Sequence, residues 1–538
     1  MSKIIKILLI ILCIIGILSL GLAGAAEQPL RTDWDWPTYI DPAVGSDRSS
    51  STALVNLYDT LVYPDAKGSV QPYVAKSWEV SADGLTWTFH LRPGIKFHDG
   101  TELTAEDVKF SMDRLTTIGE GSAFLFVGKV TTEAPDRYTV VFHLKEPCGP
   151  FLATLFRLYI VNKDMVMANI KKPGPYGNMG DYGKQYLLTQ DAGSGPYMVK
   201  EFPLEEYLLM VKNPNYWQPI DSYAPDEFKM IGTTEAVTVR TMMSRRELEI
   251  SDEFQTPEAF EALDKIKGVD IAKCSFGSAF YYMVHTRKPP TDDIHFRKAM
   301  AWAMDYKIVV EKLFPGCIQS KGPVPQTLPG ADPTVFQYHR DLDKAMAELK
   351  QSKYYGQLDK YPVTVHWCAE IPDEEKVALL FMSNMDDIGI KVKVVKTPWA
   401  SIVEEAALME TSPNIMTTFV GPHYPEAGSL LESKYKSESA ATWEQNEWVL
   451  DPELDAMIDD AIKTVDRTER FAKYSKIQHY VVDLCPTLFL FDAVYKHAYQ
   501  ATYIDWPTAR GENPPILGYD TIARFIKVFP DRRAELLK

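Results

Sequence analysis

Two segments in the first third of the chain alternate apolar and polar side chains, which is the pattern of a half-buried β-strand. Their apolar positions are Leu85, Trp87, Phe89 and Leu91, followed by Tyr138, Val140, Phe142 and Leu144. Between the two segments, Thr104-Ala-Glu-Asp107 has the residues of a helix N-terminus. This part of the chain is therefore predicted to combine strands with a helix.

The second half of the chain predicts a parallel sheet. Residues 363–367 and 390–394 alternate as strands on either side of a helical apolar stripe. Two strands joined by one helix form a βαβ unit, whose strands run parallel. A third strand is predicted at residues 415–420, before Gly421-Pro422. A helix is also predicted to start at Asp292-Asp293, and the Pro- and Gly-rich residues 315–333 are expected to form a long ordered loop.

The carboxyl ends of the three predicted strands indicate a binding cleft. Ligands of open parallel sheets bind beyond the carboxyl ends of the strands. The segments at these ends are Cys368-Ala369-Glu370, Thr397-Pro398-Trp399 and Phe419-Val420-Gly421-Pro422-His423-Tyr424. Aromatic rings with few charges would gather there, which suits the capture of a small molecule.

The length and net charge of the chain predict more than one lobe and exclude some classes of protein. A chain of 538 residues exceeds the usual size of one domain, so more than one lobe is expected. Acidic residues number 73 against 57 basic ones, and the net charge of −16 repels phosphate, so no nucleic-acid partner is predicted. Mean hydropathy of −0.19 with one long apolar run excludes a polytopic membrane protein.

The long apolar run lies at the N-terminus. Lys3 and Lys6 precede residues 7–26, which carry no charge and end in Ala23-Gly24-Ala25-Ala26. This pattern is typical of a signal peptide over residues 1–26 that is cleaved after Ala25 or Ala26. The run is also long enough to span a bilayer, so an uncleaved anchor is the alternative. Both interpretations place residues 27–538 outside the cytoplasm, in the periplasm or at the outer face of the cytoplasmic membrane.

The six cysteines contain no CxxC pair, which excludes zinc ribbons and thioredoxin chemistry. Cys13 lies inside the apolar run, so the pattern of a lipid anchor at the cleavage site is missing. In an oxidising compartment we expect one or two disulfides among the other five, with at least one thiol left over and the connectivity open.

Catalytic motifs are missing from the sequence. The ten histidines show no paired spacing for zinc, and Gly193-Ser-Gly-Pro196 lacks the later glycine of a nucleophile elbow or a dinucleotide loop. Residues 180–185 lack the earlier glycine and the hydroxyl of a P-loop. We therefore predict no catalytic residues, no metal site and no cofactor.

Several motifs, in a fixed order, resemble one known family. They are Ala75-Lys-Ser-Trp78, Ser81-Ala-Asp83-Gly84, Phe97-His-Asp99-Gly100, Thr104-Ala-Glu-Asp107-Val108, Gly195-Pro196-Tyr197 and Asn213-Pro214-Asn215-Tyr216-Trp217. From about residue 30 to 530, the chain resembles the family 5 extracellular solute-binding proteins of ABC importers, which include dipeptide-, oligopeptide- and nickel-binding proteins.

The resemblance implies an α/β fold of two lobes, the type II periplasmic-binding-protein-like fold, with an extra subdomain in the first lobe and a hinge between the lobes. It places residues 27–272 and 500–538 in the first lobe, with the inserted subdomain at about 71–190. Residues 273–499 would form the second lobe. A ligand would be enclosed between the lobes by hinge closure.

The resemblance also implies ligand-binding residues in the second lobe. Trp399 would line the cleft, and the loop after the next strand would read the ligand; its candidates are Phe419, Gly421, Pro422, His423 and Tyr424. Peptide binders of the family typically carry in this loop an Asp that pairs with the α-amino group, since a desolvated ammonium requires such a partner. This chain has Pro422 there, and Glu426 is the nearest acid.

Five first-lobe residues complete the predicted site. Ser49 and Ser50 would supply hydroxyls, Phe124 and Phe126 would supply stacking surface, and Arg157 is a candidate clamp for a carboxylate, which a guanidinium binds in bidentate fashion.

The predicted function is an exported, monomeric substrate-binding protein of an ABC transporter that captures a small organic solute and delivers it to the membrane permease. A peptide or amino-acid-derived compound ranks first. An oligosaccharide and a nickel or iron chelate are the alternatives within the family, because aromatic walls stack on sugars and because His423 lies in a loop that resembles the nickel-binding branch. Hypotheses of another class are an exported hydrolase and a periplasmic peptide chaperone.

Overall fold

The structure is a computed structural model that describes residues 29–33, 36–233, 235–253, 255–369, 371 and 373–538. The predicted signal peptide, residues 1–26, lies outside these residues. In the described part of the chain, no helix is both long enough and apolar enough to cross a membrane.

Nineteen strands are formed by the described residues. They are β1 (Pro29–Thr32), β2 (Val62–Pro64), β3 (Val70–Pro72), β4 (Ala75–Val80), β5 (Thr86–Leu91), β6 (Val130–Asp136), β7 (Thr139–Leu144), β8 (Tyr197–Glu201), β9 (Tyr207–Lys212), β10 (Glu227–Ile231), β11 (Asp270–Cys274), β12 (Ala279–Val284), β13 (Val363–Cys368), β14 (Val392–Thr397), β15 (Ile415–Val420), β16 (Thr487–Asp492), β17 (Tyr495–Tyr499), β18 (Ile504–Asp505) and β19 (Lys527–Val528).

Fifteen α-helices accompany these strands within the same described ranges. They are α1 (Arg48–Leu57), α2 (Ala105–Ile118), α3 (Phe151–Thr154), α4 (Lys163–Ala168), α5 (Ala236–Ser244), α6 (Pro257–Asp264), α7 (Ile294–Ala303), α8 (Tyr306–Ile308), α9 (Leu342–Leu349), α10 (Asp373–Asp386), α11 (Trp399–Ala406), α12 (Ala427–Tyr435), α13 (Pro452–Lys463), α14 (Arg467–Leu484) and α15 (Pro530–Leu536).

The predicted elements of the first third are confirmed. Strands β5 and β7 pair in an antiparallel sheet of order β4-β5-β7-β6, and both bury every second residue. Helix α2 starts at Ala105, and Thr104 and Asp107 form a capping box that satisfies the first amide groups. A second sheet, of order β1-β10-β9-β8, completes this half of the molecule.

The predicted βαβ unit is also confirmed. Strands β13 and β14 are parallel, with helix α10 between them, and β15 runs parallel to β13 on its other side. These strands belong to a mixed sheet of order β14-β13-β15-β12-β16. Helix α7 begins at Ile294 with Asp293 as its N-cap, as predicted. The expected loop at residues 315–333 contains isolated bridges but no strand or helix.

The mixed sheet is buried on both faces. On β12, Phe280, Tyr282 and Val284 pack into one apolar core, and the alternate residues Ala279, Tyr281 and Met283 pack into another. This alternation follows from the period of two in a strand. A separate, larger core fills the half of the molecule that contains β4 to β10.

The chain crosses between the two halves at two neighbouring places. Strands β11 and β17 pair with each other, and Ile250 bridges Tyr499 of β17 to Thr32 at the end of β1 in the first-half sheet. Strands β12 and β16, in the mixed sheet, lie next along the chain. The crossings are therefore residues 275–278 and 493–494, which is the arrangement of a two-segment hinge. The domain limits given above remain a prediction.

The expectation of disulfides is wrong for the described residues. Cys148, Cys274, Cys317, Cys368 and Cys485 are all free thiols. Cys485 is buried in the core on one face of the mixed sheet, whereas Cys368 belongs to the core on the other face. The thiols therefore act mainly as small apolar side chains.

Candidate functional site

The loop predicted to read the ligand is held firmly against the second half of the molecule. It runs from Gly421 to Glu426, between β15 and α12. A β-carbon on Gly421 would lie 2.9 Å from the Ser278 hydroxyl oxygen, so glycine suits this close approach. The amide of His423 donates a hydrogen bond of 2.7 Å to Oγ of Ser429, in the first turn of α12.

Glu426, the acid nearest to the expected position of a peptide's amino group, is engaged elsewhere. Its carboxylate accepts hydrogen bonds from Nε and Nη2 of Arg470, at 2.6 and 3.1 Å. The side chains of Glu426 and Arg470 are 6% and 4% exposed. Breaking a buried bidentate pair would leave an unpaired charge. Glu426 therefore holds the structure of the loop and does not face a ligand.

His423, in the second half of the chain, contacts residues of the first half. Its ring lies edge-on to that of Phe124, with 4.7 Å between centroids, and its Nε2 lies 3.2 Å from Oε2 of Glu444. Its carbonyl accepts a hydrogen bond of 3.3 Å from Nε of Arg157. Arg157 also donates, at 3.4 Å, to Oγ of Ser51 and to the carbonyl of Leu517. These contacts join the second half of the chain to the first.

A cavity of about 570 Å³ opens beside His423. It is lined from the first half of the chain by Phe124, Leu125 and Lys129, and from the second half by Val403, Ala407, His423, Tyr424, Ser429, Glu432, Ser433, Glu438, Ser439, Ala441, Thr442, Trp443 and Glu444. A cleft of this size, with aromatic walls and a few charged groups, is typical of a small-molecule site. Both lobes contribute to its walls, so closing the hinge would enclose its contents.

The charges around this cavity are mainly negative. Glu432, Glu438 and Glu444 are its acids, and Lys129 is its one basic residue. Glu438 forms an ion pair with Lys436 at 3.1 Å and is 82% exposed, whereas the Glu444 side chain is 13% exposed. Burial raises the pKa of Glu444, but the hydrogen bond with His423 and other neighbours outweigh it, so the pKa lies below its ordinary value. Glu444 is therefore a buried carboxylate that stays ionised.

The predicted site residues divide into two groups. Phe124, His423 and Tyr424 line the cavity, and Trp399 packs edge-on against the lining residue Trp443, with 5.1 Å between ring centroids. Arg157 reaches the site through the His423 carbonyl and does not line the cavity.

The other predicted residues lie away from the cavity wall. Phe419 packs against Phe280 in a core of the second half, with 4.6 Å between centroids. Gly421 and Pro422 shape the loop. Ser50 is fully buried and donates to Asp47 at the start of α1, and Ser49 is on the same helix. Phe126 is 1% exposed and lines a neighbouring cavity. The ligand-binding roles of all these residues remain predictions.

Sequence reasoning missed Lys129, Trp443 and Glu444. Residues 441–444 follow a short turn and carry no periodic pattern, so no local signal marks them as a site. Glu444 meets His423 across 21 positions of sequence. Such a contact depends on the packing of α12 and the turn after it, which a single sequence does not reveal.

The carboxyl end of β13, also predicted to face the cleft, is instead covered by Glu374 of α10. Its Oε2 accepts hydrogen bonds from the Cys368 amide, at 2.9 Å, and from Oγ1 of Thr417, at 2.6 Å. Its Oε1 is buried and has no partner among the described residues. Glu370 lies outside the described residues. Burial raises the pKa of Glu374 to about 7.

Glu374→Gln is expected to change how stability depends on pH. The pKa of Glu374 in the folded protein, about 7, lies above the ordinary value of 4.5 for a glutamate. The stability that the protonated carboxyl contributes is therefore complete below about pH 4.5 and is lost as the pH rises through 7. The glutamine variant stays neutral. We expect it to match the wild type near pH 5 and to melt a few degrees higher at pH 8. Thermal unfolding at several pH values tests this, with the exposed Glu375→Gln as the control. An unchanged pH profile in Glu374→Gln would contradict it.

Ala441, on the cavity wall, has a φ of 66°, which lies in the left-handed region. This conformation is costly for a residue with a β-carbon. We expect Ala441→Gly to raise the free energy of unfolding by about 0.5–1 kcal/mol, because relief of strain exceeds the added entropy of the unfolded chain. Urea unfolding measures the change. A loss of stability would show that the backbone at this position is not strained.

The lobes meet again at what we call the latch, formed by residues 146–149 of the first half against residues 462–466 of the second. The Gly149 amide donates a hydrogen bond of 2.7 Å to the Ile462 carbonyl. Glu146 and Lys463 form an exposed ion pair at 2.9 Å. A β-carbon on Gly149 would lie 2.0 Å from the Thr464 carbonyl oxygen, so only glycine permits this approach.

Arg470 connects the latch to the ligand loop. Its Nη1 donates to the carbonyls of Thr464 and Val465, at 2.9 and 2.8 Å, and its other nitrogens hold Glu426. Arg470 thus links the turn at residues 464–466 directly to the loop that carries His423.

Comparison with solved structures supports the fold. A substrate-binding protein of an ABC transporter from Listeria monocytogenes, CtaP, is 20% identical, with a TM-score of 0.80 over 94% of this chain and 100% of that one. The periplasmic binding protein DppA of Helicobacter pylori, solved in complex with the peptide STSA, is 21% identical, with a TM-score of 0.74 over 93% of this chain and 98% of that one. The two-lobed α/β fold of periplasmic binding proteins is thereby confirmed.

Known proteins are similar in sequence to this chain over most of its length. The probable D,D-dipeptide-binding periplasmic protein DdpA of Escherichia coli is 29% identical over 477 residues, which are 87% of each chain. The profile of the family described as "Bacterial extracellular solute-binding proteins, family 5 Middle" matches residues 69–442. These residues include the latch glycine and the ligand loop. The chain therefore belongs to the family 5 bacterial extracellular solute-binding proteins.

Proposed function

We propose that this protein captures a peptide between its two lobes, outside the cytoplasm, and presents it as a monomer to the permease of an ABC importer. The observation that carries this proposal is the cavity of about 570 Å³ whose walls come from both halves of the chain. A ligand that contacts both lobes favours the closed arrangement by its differential affinity for it. Closure would then signal to the permease that the receptor is loaded.

Glu444 is the acceptor that we propose for the ligand's ammonium group. An ammonium that leaves water requires a charged partner. Of the acids near the loop, Glu426 is bound to Arg470 and Glu438 to Lys436. Glu444 lines the cavity and is largely buried, and its Oε2 lies 3.2 Å from Nε2 of His423. It would take the role that the family's peptide binders give to an Asp in the loop.

Lys129 offers the complementary charge from the opposite lobe. It lines the same cavity, and among the described residues it forms no ion pair. A peptide is a zwitterion, so an acid on one lobe and a base on the other suit its two ends. An oligosaccharide would gain little from either charge, which is why we rank it second.

The relatives support a peptide and the site disfavours a metal. Two of the three relatives reported above, DdpA and DppA, carry a name or a bound ligand that refers to a peptide. Within the described ranges, no group of three His, Cys, Asp or Glu could hold a metal ion. His423 is the one histidine among the described residues that line the cavity, so it would have to bind a preformed metal chelate without help from a second histidine. Because the family consists of solute-binding proteins, we propose no catalytic activity.

A thermal-shift screen tests this function. The protein would be heated with panels of di- to pentapeptides, oligosaccharides and nickel chelates. We expect peptides to raise the melting temperature in proportion to log concentration, because a ligand that binds the folded state stabilises it by mass action. A rise with a sugar or a chelate, and none with any peptide, would contradict the proposal.

A further inference from the structure

A cavity of about 680 Å³, which we call the hinge cavity, lies beside the two hinge crossings. Its walls come from the turn between β2 and β3 and the loop at residues 511–515 in the first half of the chain, and from residues 327–329 and the start of α14 in the second half. The end of β11 and Val494 complete the walls at the hinge itself. A ligand in this space would therefore contact both lobes and the segments that join them.

The charged residues that line the hinge cavity are all basic. Lys67 comes from the turn after β2, Lys273 from β11 and Arg467 from the first turn of α14, and none of the described residues on the walls is acidic. No described carboxylate lies within 4.0 Å of these three cationic groups. The chain as a whole has 73 acidic residues against 57 basic ones. The charge of this cavity is thus opposite to that of the protein, and the cavity attracts anions.

The paired hinge strands bring a fourth cation close to the cavity. Lys273 and Lys496 are directly opposite each other in the antiparallel pair of β11 and β17. Nζ of Lys273 and Cε of Lys496 lie 3.8 and 3.9 Å from the position that a β-carbon on Gly316 would take, so the two side chains extend toward the same place. Like charges that are directly opposed in a sheet repel each other and destabilise it. A bound anion would relieve this repulsion.

The hinge cavity is separate from the proposed peptide site. It shares no lining residue with the cavity beside His423. The ring of Tyr495 stacks on that of Phe276, with 4.8 Å between centroids, and the Arg48 guanidinium lies 4.5 Å from the centre of the Phe276 ring. These three side chains belong to the hinge and to the start of α1, and none of them lines the hinge cavity. A ligand of the hinge cavity would therefore be a second ligand and not part of the peptide.

Neutral hydrogen-bond donors lie among the cations. Ser69, Ser275 and Thr327 carry hydroxyl groups on the walls, and Oγ of Ser275 lies 3.5 Å from Oγ1 of Thr327. The Arg467 guanidinium lies over the ring of Phe471, 4.8 Å from its centre, which fixes its plane beside the cavity. A guanidinium, ammonium groups and hydroxyls suit an oxyanion that accepts hydrogen bonds on several sides, as phosphate does.

We propose that the hinge cavity binds a phosphate-like dianion, which stabilises the closed arrangement by bridging Lys67 of the first half and Arg467 of the second. The turn that carries Lys67 already approaches the second half, because a β-carbon on Gly68 would lie 3.2 Å from Pro329 and 3.3 Å from Pro425. Opening of the lobes would separate these walls. The anion would therefore raise the affinity for the peptide, and the peptide would raise the affinity for the anion by the same factor. This coupling rests on the proposed function, whereas the anion site does not.

Phosphate binding to the protein without peptide tests the site. Calorimetric titration with inorganic phosphate near pH 8, at an ionic strength of about 50 mM to limit screening, is expected to show saturable binding of one phosphate per chain. The double variant Lys273→Gln/Arg467→Gln should bind phosphate about 10-fold more weakly or worse, because two charge-assisted contacts are lost. Lys476→Gln, an exposed position farther along α14 and outside the cavity, is the control and should bind as the wild type does.

Absence of saturable binding by the wild type, or equal binding by the double variant, would overturn the site. Lys273 and Arg467 are both exposed, so the double variant should keep the melting temperature of the wild type. A measurement on the wild type alone does not depend on any variant. Sulfate should compete with phosphate, and chloride at equal ionic strength should not; competition by chloride would show screening and would overturn the site. Tighter binding of glycerol phosphate than of inorganic phosphate would support an organic phosphate as the ligand, and weaker or equal binding would support the free anion.

Peptide titration tests the coupling. In saturating phosphate, the tightest peptide from the thermal screen should bind the wild type about 5-fold more tightly, or better, than in chloride of equal ionic strength. The double variant should show no such gain. Equal peptide affinity of the wild type in phosphate and in chloride would overturn the bridging role. If phosphate bound and no peptide did, the proposed function would fail and the anion site would stand; if peptides bound and phosphate did not, the anion site alone would fail.

Discussion

Glu444→Gln is expected to weaken the binding of a free peptide by about 100-fold or more. The glutamine keeps the size of the side chain and can still hydrogen-bond His423, but it removes the buried negative charge that we assign to the ligand's ammonium. Loss of one partner of a buried charged pair costs about 2–5 kcal/mol, since the other charge is left unpaired. Calorimetric titration of the tightest peptide from the thermal screen measures the change.

Two matched controls make this result specific. Glu438→Gln removes another acid from the wall of the same cavity, but Glu438 is 82% exposed and paired with Lys436, so affinity should change less than threefold. An N-acetylated peptide lacks the ammonium, and it should bind wild type and Glu444→Gln with similar affinity. If Glu444→Gln bound the free peptide normally, the ammonium would lie elsewhere in the cleft.

Gly149→Ala is expected to prevent the lobes from closing. The added methyl group would lie 2.0 Å from the Thr464 carbonyl oxygen and 2.5 Å from Nη1 of Arg470. The carbonyl is backbone, so it cannot rotate away as a side chain can. Peptide affinity should fall by about 10- to 100-fold, because apparent affinity scales with the fraction of molecules that can reach the closed arrangement. No ligand contact is altered by the substitution.

Small-angle scattering separates this effect from loss of folding. With saturating peptide, wild type should become more compact, while Gly149→Ala should keep the radius of gyration of the free protein and a nearly normal melting temperature. Gly322→Ala is the control, because its β-carbon would lie 3.1 Å from Val335, within the second half of the chain. Compaction and tight binding by Gly149→Ala would show that the latch is not part of closure.

The elements that the sequence predicts well are those with strong local signals. Strand β5 buries every second residue, as its alternation of apolar and polar residues predicts. Helix α2 begins directly after Thr104, and the four consecutive residues 104–107 contain the capping box. The βαβ unit of β13, α10 and β14 could be predicted because the spacing of apolar residues and the length of the apolar segments both differ between strand and helix. The local pattern indicates where these elements lie, and tertiary contacts such as the pairing of β5 with β7 stabilise them.

The candidate site could be predicted only in part. The loop from Gly421 to Tyr424 follows a strand, so topology alone places His423 near a cleft. Whether an acid nearby is free or already paired depends on distant residues. Glu426 is engaged by Arg470, which lies 44 positions away, while Glu444 approaches His423 from a turn without a motif. The expectation of disulfides is wrong for a similar reason. The positions of the described thiols depend on tertiary packing, which the spacing of the cysteines along the sequence does not reveal.

The central claim is that a peptide occupies the space between the two lobes. Native mass spectrometry of the protein purified without denaturation from its own host tests it most directly, because a receptor that must open to release its cargo retains it during purification. We predict a bound species that, once released and fragmented, has the sequence of a short peptide. A released sugar or metal chelate in its place would contradict the account.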